Sequence, residues 1–127
     1  MKRVTGIGGI FFKAKDPEQL KAWYAMHLGL PLKEDGDVSF PWREMDAPEK
    51  TGRTVWAPFP KETDYFKPSN AALMINYRVE NLDTLLTQLR KEGVTVDDRV
   101  EEYDYGRFGW IMDPEGNRIE LWEPTRT

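Results

Sequence analysis

Gly106-Arg107-Phe108-Gly109-Trp110-Ile111-Met112-Asp113-Pro114-Glu115-Gly116-Asn117-Arg118-Ile119-Glu120-Leu121-Trp122-Glu123-Pro124 is the stretch whose reading decides the fold. It predicts a hairpin, with Phe108–Met112 as one strand and Arg118–Trp122 as the next. Pro114 presets φ for the turn, and Gly116 supplies the positive φ that closes it. Counting back from the turn sets Met112 opposite Arg118, Ile111 opposite Ile119 and Trp110 opposite Glu120. Alternation then puts Ile111, Ile119 and Leu121 on one face and Phe108, Trp110, Glu120 and Trp122 on the other. The first set reads as core. The second surrounds one carboxylate with three large aromatics, which points to the wall of a pocket.

The same punctuation occurs earlier in the chain. Ile7–Ala14 reads as a strand, and Asp16 caps a helix with Pro17 at its first position and Gln19 at the capping-box site. Leu20, Trp23, Tyr24 and His27 recur at helical spacing, and Gly29 stops the helix. Short strands are expected near Leu32–Glu34, Val38–Glu44 and Arg53–Trp56. The second half repeats this order. Leu73–Val79 is a strand, and Asn81 caps a helix with Leu82, Leu85, Leu86 and Leu89 on its apolar face. Gly93 ends that helix, and a strand near Val96–Val100 precedes the hairpin. Asp16 and Asn81, Phe12 and Tyr77, Gly29 and Gly93, and Trp56-Ala57-Pro58 and Trp122-Glu123-Pro124 all recur at a spacing of about 65 residues. The chain therefore reads as an α+β fold of two tandem βαβββ modules, module one at about 5–57 and module two at about 71–124, within a single domain over 1–127. Between the modules, Pro58–Asn70 holds three prolines with Phe59, Tyr65 and Phe66. A functional lid and a linker packed on the core are equally open readings of it.

Composition excludes several classes. With 18 basic and 22 acidic residues the net charge is −4, which disfavours nucleic acid as the main partner. No apolar run approaches the ~18 residues of a membrane span. The N-terminus lacks the apolar core of a secretory signal, so the cytoplasm is the expected location. Cysteine is absent, which removes disulfides, a thiolate nucleophile and Cys-ligated metal.

The duplicated order, with Lys15-Asp16-Pro17, Trp23-Tyr24 and Leu28-Gly29-Leu30 in the first half and Asp113-Pro114-Glu115-Gly116-Asn117 and Ile119-Glu120-Leu121 at the end, resembles the vicinal oxygen chelate superfamily. That superfamily includes glyoxalase I, extradiol dioxygenases, fosfomycin-resistance enzymes and bleomycin-resistance proteins. The resemblance implies that each module forms an incomplete barrel, and that two modules enclose a cleft holding a divalent metal in the metal-using members. The ligand positions it implies here are Gly9, Thr54 (or Val55 after a one-residue shift), Met74 and Glu120. Only Glu120 is a good ligand, and the chain has a single histidine, His27, at the end of the first helix. Neither a metal nor any other cofactor is therefore expected.

The residues expected to line a ligand cleft are Trp56, Met74, Tyr105, Arg107, Phe108, Trp110, Glu120 and Trp122. Among aromatics the pKa of Glu120 would rise through desolvation, which suits proton transfer near neutrality and makes it the candidate base. Two functions stay open. One is a bleomycin resistance-like protein that binds a small, partly aromatic molecule without the usual metal site. The other is a glyoxalase-like lyase or isomerase that uses Glu120 as base or metal ligand. By analogy with relatives that pair modules across chains, a homodimer is expected.

Overall fold

The computed structural model describes residues 2–125. Seven strands and two helices follow in the order β1 (Val4–Ala14), α1 (Pro17–Leu28), β2 (Ser39–Arg43), β3 (Thr51–Pro60), β4 (Leu73–Val79), α2 (Leu82–Lys91), β5 (Glu101–Tyr103), β6 (Gly106–Met112) and β7 (Arg118–Pro124). All strands join one mixed sheet, β2-β3-β1-β4-β7-β6-β5, that does not close into a barrel. In each half the first strand pairs in parallel with the last: β1 with β3, and β4 with β7. The halves meet where β1 runs antiparallel to β4. The two modules thus join into one open sheet within a single chain, as two incomplete barrels side by side would.

The caps form as the residue types dictate. Asp16 accepts from the Gln19 N–H at 3.1 Å, and Asn81 accepts from the Thr84 N–H at 3.1 Å. Gly29 at φ 67° and Gly93 at φ 85° carry the chain out of the two helices. The final hairpin has the expected register: Met112 opposite Arg118, Ile111 opposite Ile119 and Trp110 opposite Glu120. Its turn is fastened by Asp113, whose carboxylate accepts from the N–H groups of Glu115 and Asn117, both at 2.9 Å.

Three expected elements differ. Leu32–Glu34 is reduced to a single bridge, Leu32 to Val38. The Asp35-Gly36-Asp37 turn, with Gly36 at φ 86°, folds the chain back at once and leaves no room for more pairs. Strand β3 runs on to Pro60, so the prolines at 58 and 60 belong to a strand and not to the inter-module loop. Val96 makes only an isolated bridge to Ile111, and the strand of that region is Glu101–Tyr103.

The sheet separates two apolar layers. On the helix side, Leu82, Leu85 and Leu86 of α2 pack on Val79 and Leu121, with Ile111 and Ile119 beside them. On the other side, Phe11, Phe66, Met74, Phe108, Trp110 and Trp122 form an aromatic cluster. Alternation on β6 and β7 assigns the side chains to these layers as the sequence predicts. The inter-module segment is packed on the core, held by Phe66, which is 1% exposed and lies 5.4 Å from the Phe59 ring.

Candidate functional site

One row of cross-strand partners forms the centre of the open face. Val55 of β3 pairs with Gly9 of β1, Gly9 with Asn76 of β4, Asn76 with Glu120 of β7, and Glu120 with Trp110 of β6. Directly paired residues point to the same side of a sheet, so the row places Asn76 and Glu120 side by side. Of the positions implied by family resemblance, Gly9, Val55 (the one-residue alternative to Thr54) and Glu120 share this row, and Asn76 joins it two residues along β4 from Met74. The distance from strand to helix cap differs between the halves, seven residues from Gly9 to Asp16 against five from Asn76 to Asn81, so a constant spacing does not locate the paired positions.

Glu120 is 1% exposed, and every hydrogen bond around it is a donor turned inward. Asn76 Nδ2 donates to Oε1 at 2.6 Å, and Trp110 Nε1 donates to Oε2 at 3.0 Å. The Tyr65 hydroxyl, from the inter-module segment, also donates to Oε2. Burial pushes the Glu120 carboxyl above the usual carboxylate range, against the pull of these three donors and the positive charge of Arg118. The same burial, reinforced by the Glu120 charge, holds the Tyr65 phenol well above its ordinary value, so it remains a donor. Arg118 braces the far side. It donates to the Tyr65 carbonyl and lies 4.9 Å from the Trp110 ring.

Above this floor lies a cleft of about 490 Å³. Gly8, Phe11, Val55 and Phe59 form the wall from module one. Tyr103, Tyr105, Phe108 and Trp122 form the wall from module two, and Arg53 and Asp37 also line the cleft. Trp122 is locked by donating to the Tyr105 carbonyl at 3.0 Å and stacks on Phe108 at 6.0 Å. Tyr65 stacks on Phe59 at 5.5 Å and an interplanar angle of 11°.

Of the residues singled out from sequence, Tyr105, Phe108, Glu120 and Trp122 line this cleft. Trp110 and Met74, each 1% exposed, lie within the packed aromatic cluster and are not part of the lining. Arg107 points to the helix side, because it alternates with Phe108, and bonds Asp83 of α2 at 2.7 Å. Trp56 packs against Tyr24 of α1 at 4.8 Å and Phe12 at 5.1 Å, on the same side as the helices. His27 packs at a tilt against Trp23 at the end of α1, with ring centroids 4.8 Å apart. Asn76 and Tyr65 were missed. Asn76 left a readable signal, since asparagine is disfavoured inside a strand as apolar as Leu73-Met74-Ile75-Asn76-Tyr77. Tyr65 left none, because its reach to Glu120 depends on how the loop packs.

The donor set does not fit the divalent metal that the fold implies. The row Gly9, Val55, Asn76, Glu120 offers one carboxylate and one amide, whereas protein sites for Zn²⁺ and similar ions use three or four N, O or S ligands. Among the described residues no three His, Cys, Asp or Glu side chains gather around a common point.

These features define a class: an α+β protein of two fused modules whose joint cleft, walled by aromatics, closes on a buried carboxylate. The sequence profile of the Glyoxalase/Bleomycin resistance protein/Dioxygenase superfamily matches residues 6–121, and the chain belongs to that superfamily. Solved structures share its fold. A methylmalonyl-CoA epimerase from Mycobacterium tuberculosis is 21% identical over 97% of this chain and 90% of its own, with a TM-score of 0.63. A Streptomyces coelicolor methylmalonyl-CoA epimerase in complex with 2-nitronate-propionyl-CoA is 16% identical over 98% and 97%, with a TM-score of 0.71. A superfamily member from Vibrio splendidus is 10% identical over 92% and 97%, with a TM-score of 0.59. No curated protein matches the sequence significantly.

Proposed function

We propose that this protein binds a small, partly aromatic molecule in the cleft between its modules, without a resident transition metal. The observation that carries this reading is the cleft itself: an aromatic enclosure of about 490 Å³ lined by a few polar groups. This is the usual form of a small-molecule site, where apolar walls give affinity and fixed polar groups give orientation. The bleomycin-resistance branch of the superfamily supplies the analogy. No helix among the described residues is long and apolar enough to cross a membrane, and we place the protein in the cytoplasm, as a homodimer.

Tryptophan fluorescence titration against aromatic drugs, acyl-CoA thioesters and sugars tests the reading. Flat, partly apolar compounds should bind best, and Trp122→Ala should weaken them about ten-fold or more, since a stacked aromatic contributes up to about 1.5 kcal/mol beyond its buried area. Equal binding by the variant, or a preference for wholly aliphatic ligands, would refute it. Elemental analysis should find well under one Zn, Ni, Mn or Fe per chain. Light scattering should return twice the 14.8 kDa chain mass.

A second reading is favoured by Glu120. A buried carboxylate with a raised pKa at the floor of a cleft is suited to act as a base, and epimerases share the fold. An isomerase would exchange a carbon-bound proton of its substrate with deuterated solvent, and Glu120→Gln would abolish that exchange.

A further inference from the structure

The floor of the cleft is asymmetric in hydrogen-bonding capacity. Its side-chain donor atoms, the Tyr65 hydroxyl, Asn76 Nδ2 and the neighbouring Trp110 Nε1, each give a hydrogen bond to Glu120, which leaves over only the second N–H of Asn76. Higher up, Trp122 Nε1 is spent on a backbone carbonyl. The acceptor capacity left over is larger. Glu120 Oε1 takes a hydrogen bond only from Asn76, and a carboxylate oxygen has two lone pairs. Asn76 Oδ1 has no hydrogen-bond partner although the residue is 1% exposed and lines the cleft. A buried acceptor left unpaired is costly. A ligand donor would satisfy it, whereas a ligand anion would face the Glu120 carboxylate and this amide oxygen with only the second Asn76 N–H to set against them.

We propose that the ligand enters with a hydrogen-bond donor leading, a protonated amine in preference to a neutral hydroxyl, and that this group docks on Glu120 Oε1 and Asn76 Oδ1 while its flat body lies between the walls. The walls favour the cation further. Phe11, Phe59, Phe108 and Trp122 present aromatic surface to the cleft, and ring faces attract positive charge. A carboxylate or phosphate on the ligand is drawn instead to Arg53, which also lines the cleft and is exposed. The inference rests on the binding function proposed above and specifies the chemistry of its ligand.

Calorimetric titration with four probes on one ring system separates the possibilities: naphthylmethylamine, naphthalenemethanol, naphthylacetate and ethylnaphthalene. Physiological ionic strength screens the net charge of the chain. The amine should bind about ten-fold or more tighter than the acetate, with the alcohol between them, in line with the strength of a hydrogen bond to a charged group. Glu120→Gln keeps the shape and removes the charge, and should shrink the gap between amine and acetate to within about three-fold. If the acetate matches or exceeds the amine, or the gap survives Glu120→Gln in a folded variant, the donor-first orientation is wrong while the cleft remains a binding site. If Glu120→Gln fails to fold, the order of the four probes on the parent protein decides alone. If none of the four binds at millimolar concentration, the binding function fails and this inference fails with it.

Discussion

Helices α1 and α2 occupy matching places in the two modules but are held in very different ways. In α2, Leu82, Leu85 and Leu86 are fully buried. In α1 no residue is fully buried, and Trp23 and Met26 are 52% and 80% exposed. The cleft shows the same inequality. Module two supplies Asn76, Glu120, Phe108 and Trp122, while the facing positions of module one hold Gly9 and Val55. Duplication gives a symmetric frame, but helix packing and the polar groups of the cleft floor have both collected in the second copy. The first copy contributes a wall and the space in front of it.

The largest expected effect tests the packing half of that contrast. Leu85→Ala should cost about 2–5 kcal/mol, the range for a buried leucine whose cavity only partly collapses. Trp23→Ala removes a larger side chain, yet it should change stability by only about 0.5 kcal/mol, as for an exposed site. Urea unfolding of both variants makes the comparison. A Trp23→Ala loss as large as that of Leu85→Ala would mean that α1 is covered by something in solution, most simply a second chain.

How much of this was legible in the sequence follows from the range over which each signal acts. The hairpin could be read because turn chemistry and alternation act within a few residues: Asp113, Pro114 and Gly116 set the register, and the register set the faces. The helices could be read from Asp16, Asn81, Gly29 and Gly93 for the same reason. Trp56 and Met74 could not be assigned to a side, because their parity depends on how β3 and β4 register against β1, and β1 has irregularities that no local pattern announces. Arg107 was resolvable in principle. It alternates with Phe108, so placing both in one cleft conflicted with the periodicity that had placed Phe108. Tyr65 lay beyond reach, since a loop residue meets Glu120 55 positions away only after the core has formed.

A smaller effect tests whether module one supplies space. A methyl group added to Gly8 would collide with the Asn76 amide and lie 2.9 Å from the Trp122 ring. At Gly9 the nearest approach is wider, 2.8 Å to the ring edge of Phe11. Gly8→Ala should therefore cost about 1–3 kcal/mol, as overpacking does, and weaken any cleft ligand. Gly9→Ala should cost less. Thermal unfolding together with fluorescence titration reads both quantities. A Gly8→Ala protein that is as stable as the parent and binds as well would mean that the Asn76 side chain has room to move and that the floor is not fixed by Gly8.

The smallest effect concerns two buried acids, one from each module, whose environments push them in opposite directions. Glu44 follows β2, accepts from Arg78 at 3.0 Å and pairs with Lys2 at 3.3 Å. The Arg78 bond, above all, holds its carboxyl below the ordinary value of 4.5. A lowered pKa in the folded state means that the unfolded chain takes up the proton first as acid is added. The Glu44 contribution is therefore complete above about pH 4.5 and is lost as pH falls below it. Glu120 behaves in the reverse sense. Burial raises its folded-state pKa, so the folded chain holds the proton more tightly, and its contribution is complete below about pH 4.5 and lost as pH rises through the raised value. Glu44→Gln should flatten the acid limb of a plot of unfolding free energy against pH, and Glu120→Gln the limb above about pH 4.5. The second variant can keep its hydrogen bonds. The Gln carbonyl can accept from Tyr65 and Trp110, and its amide can donate to Asn76 once that side chain turns its unpaired Oδ1 around. An upper limb with an unchanged slope in Glu120→Gln would show that the carboxyl is not titrating above its ordinary range. The donors around it would then outweigh its burial, and the site would hold a fixed charge that binds a ligand without exchanging protons with it.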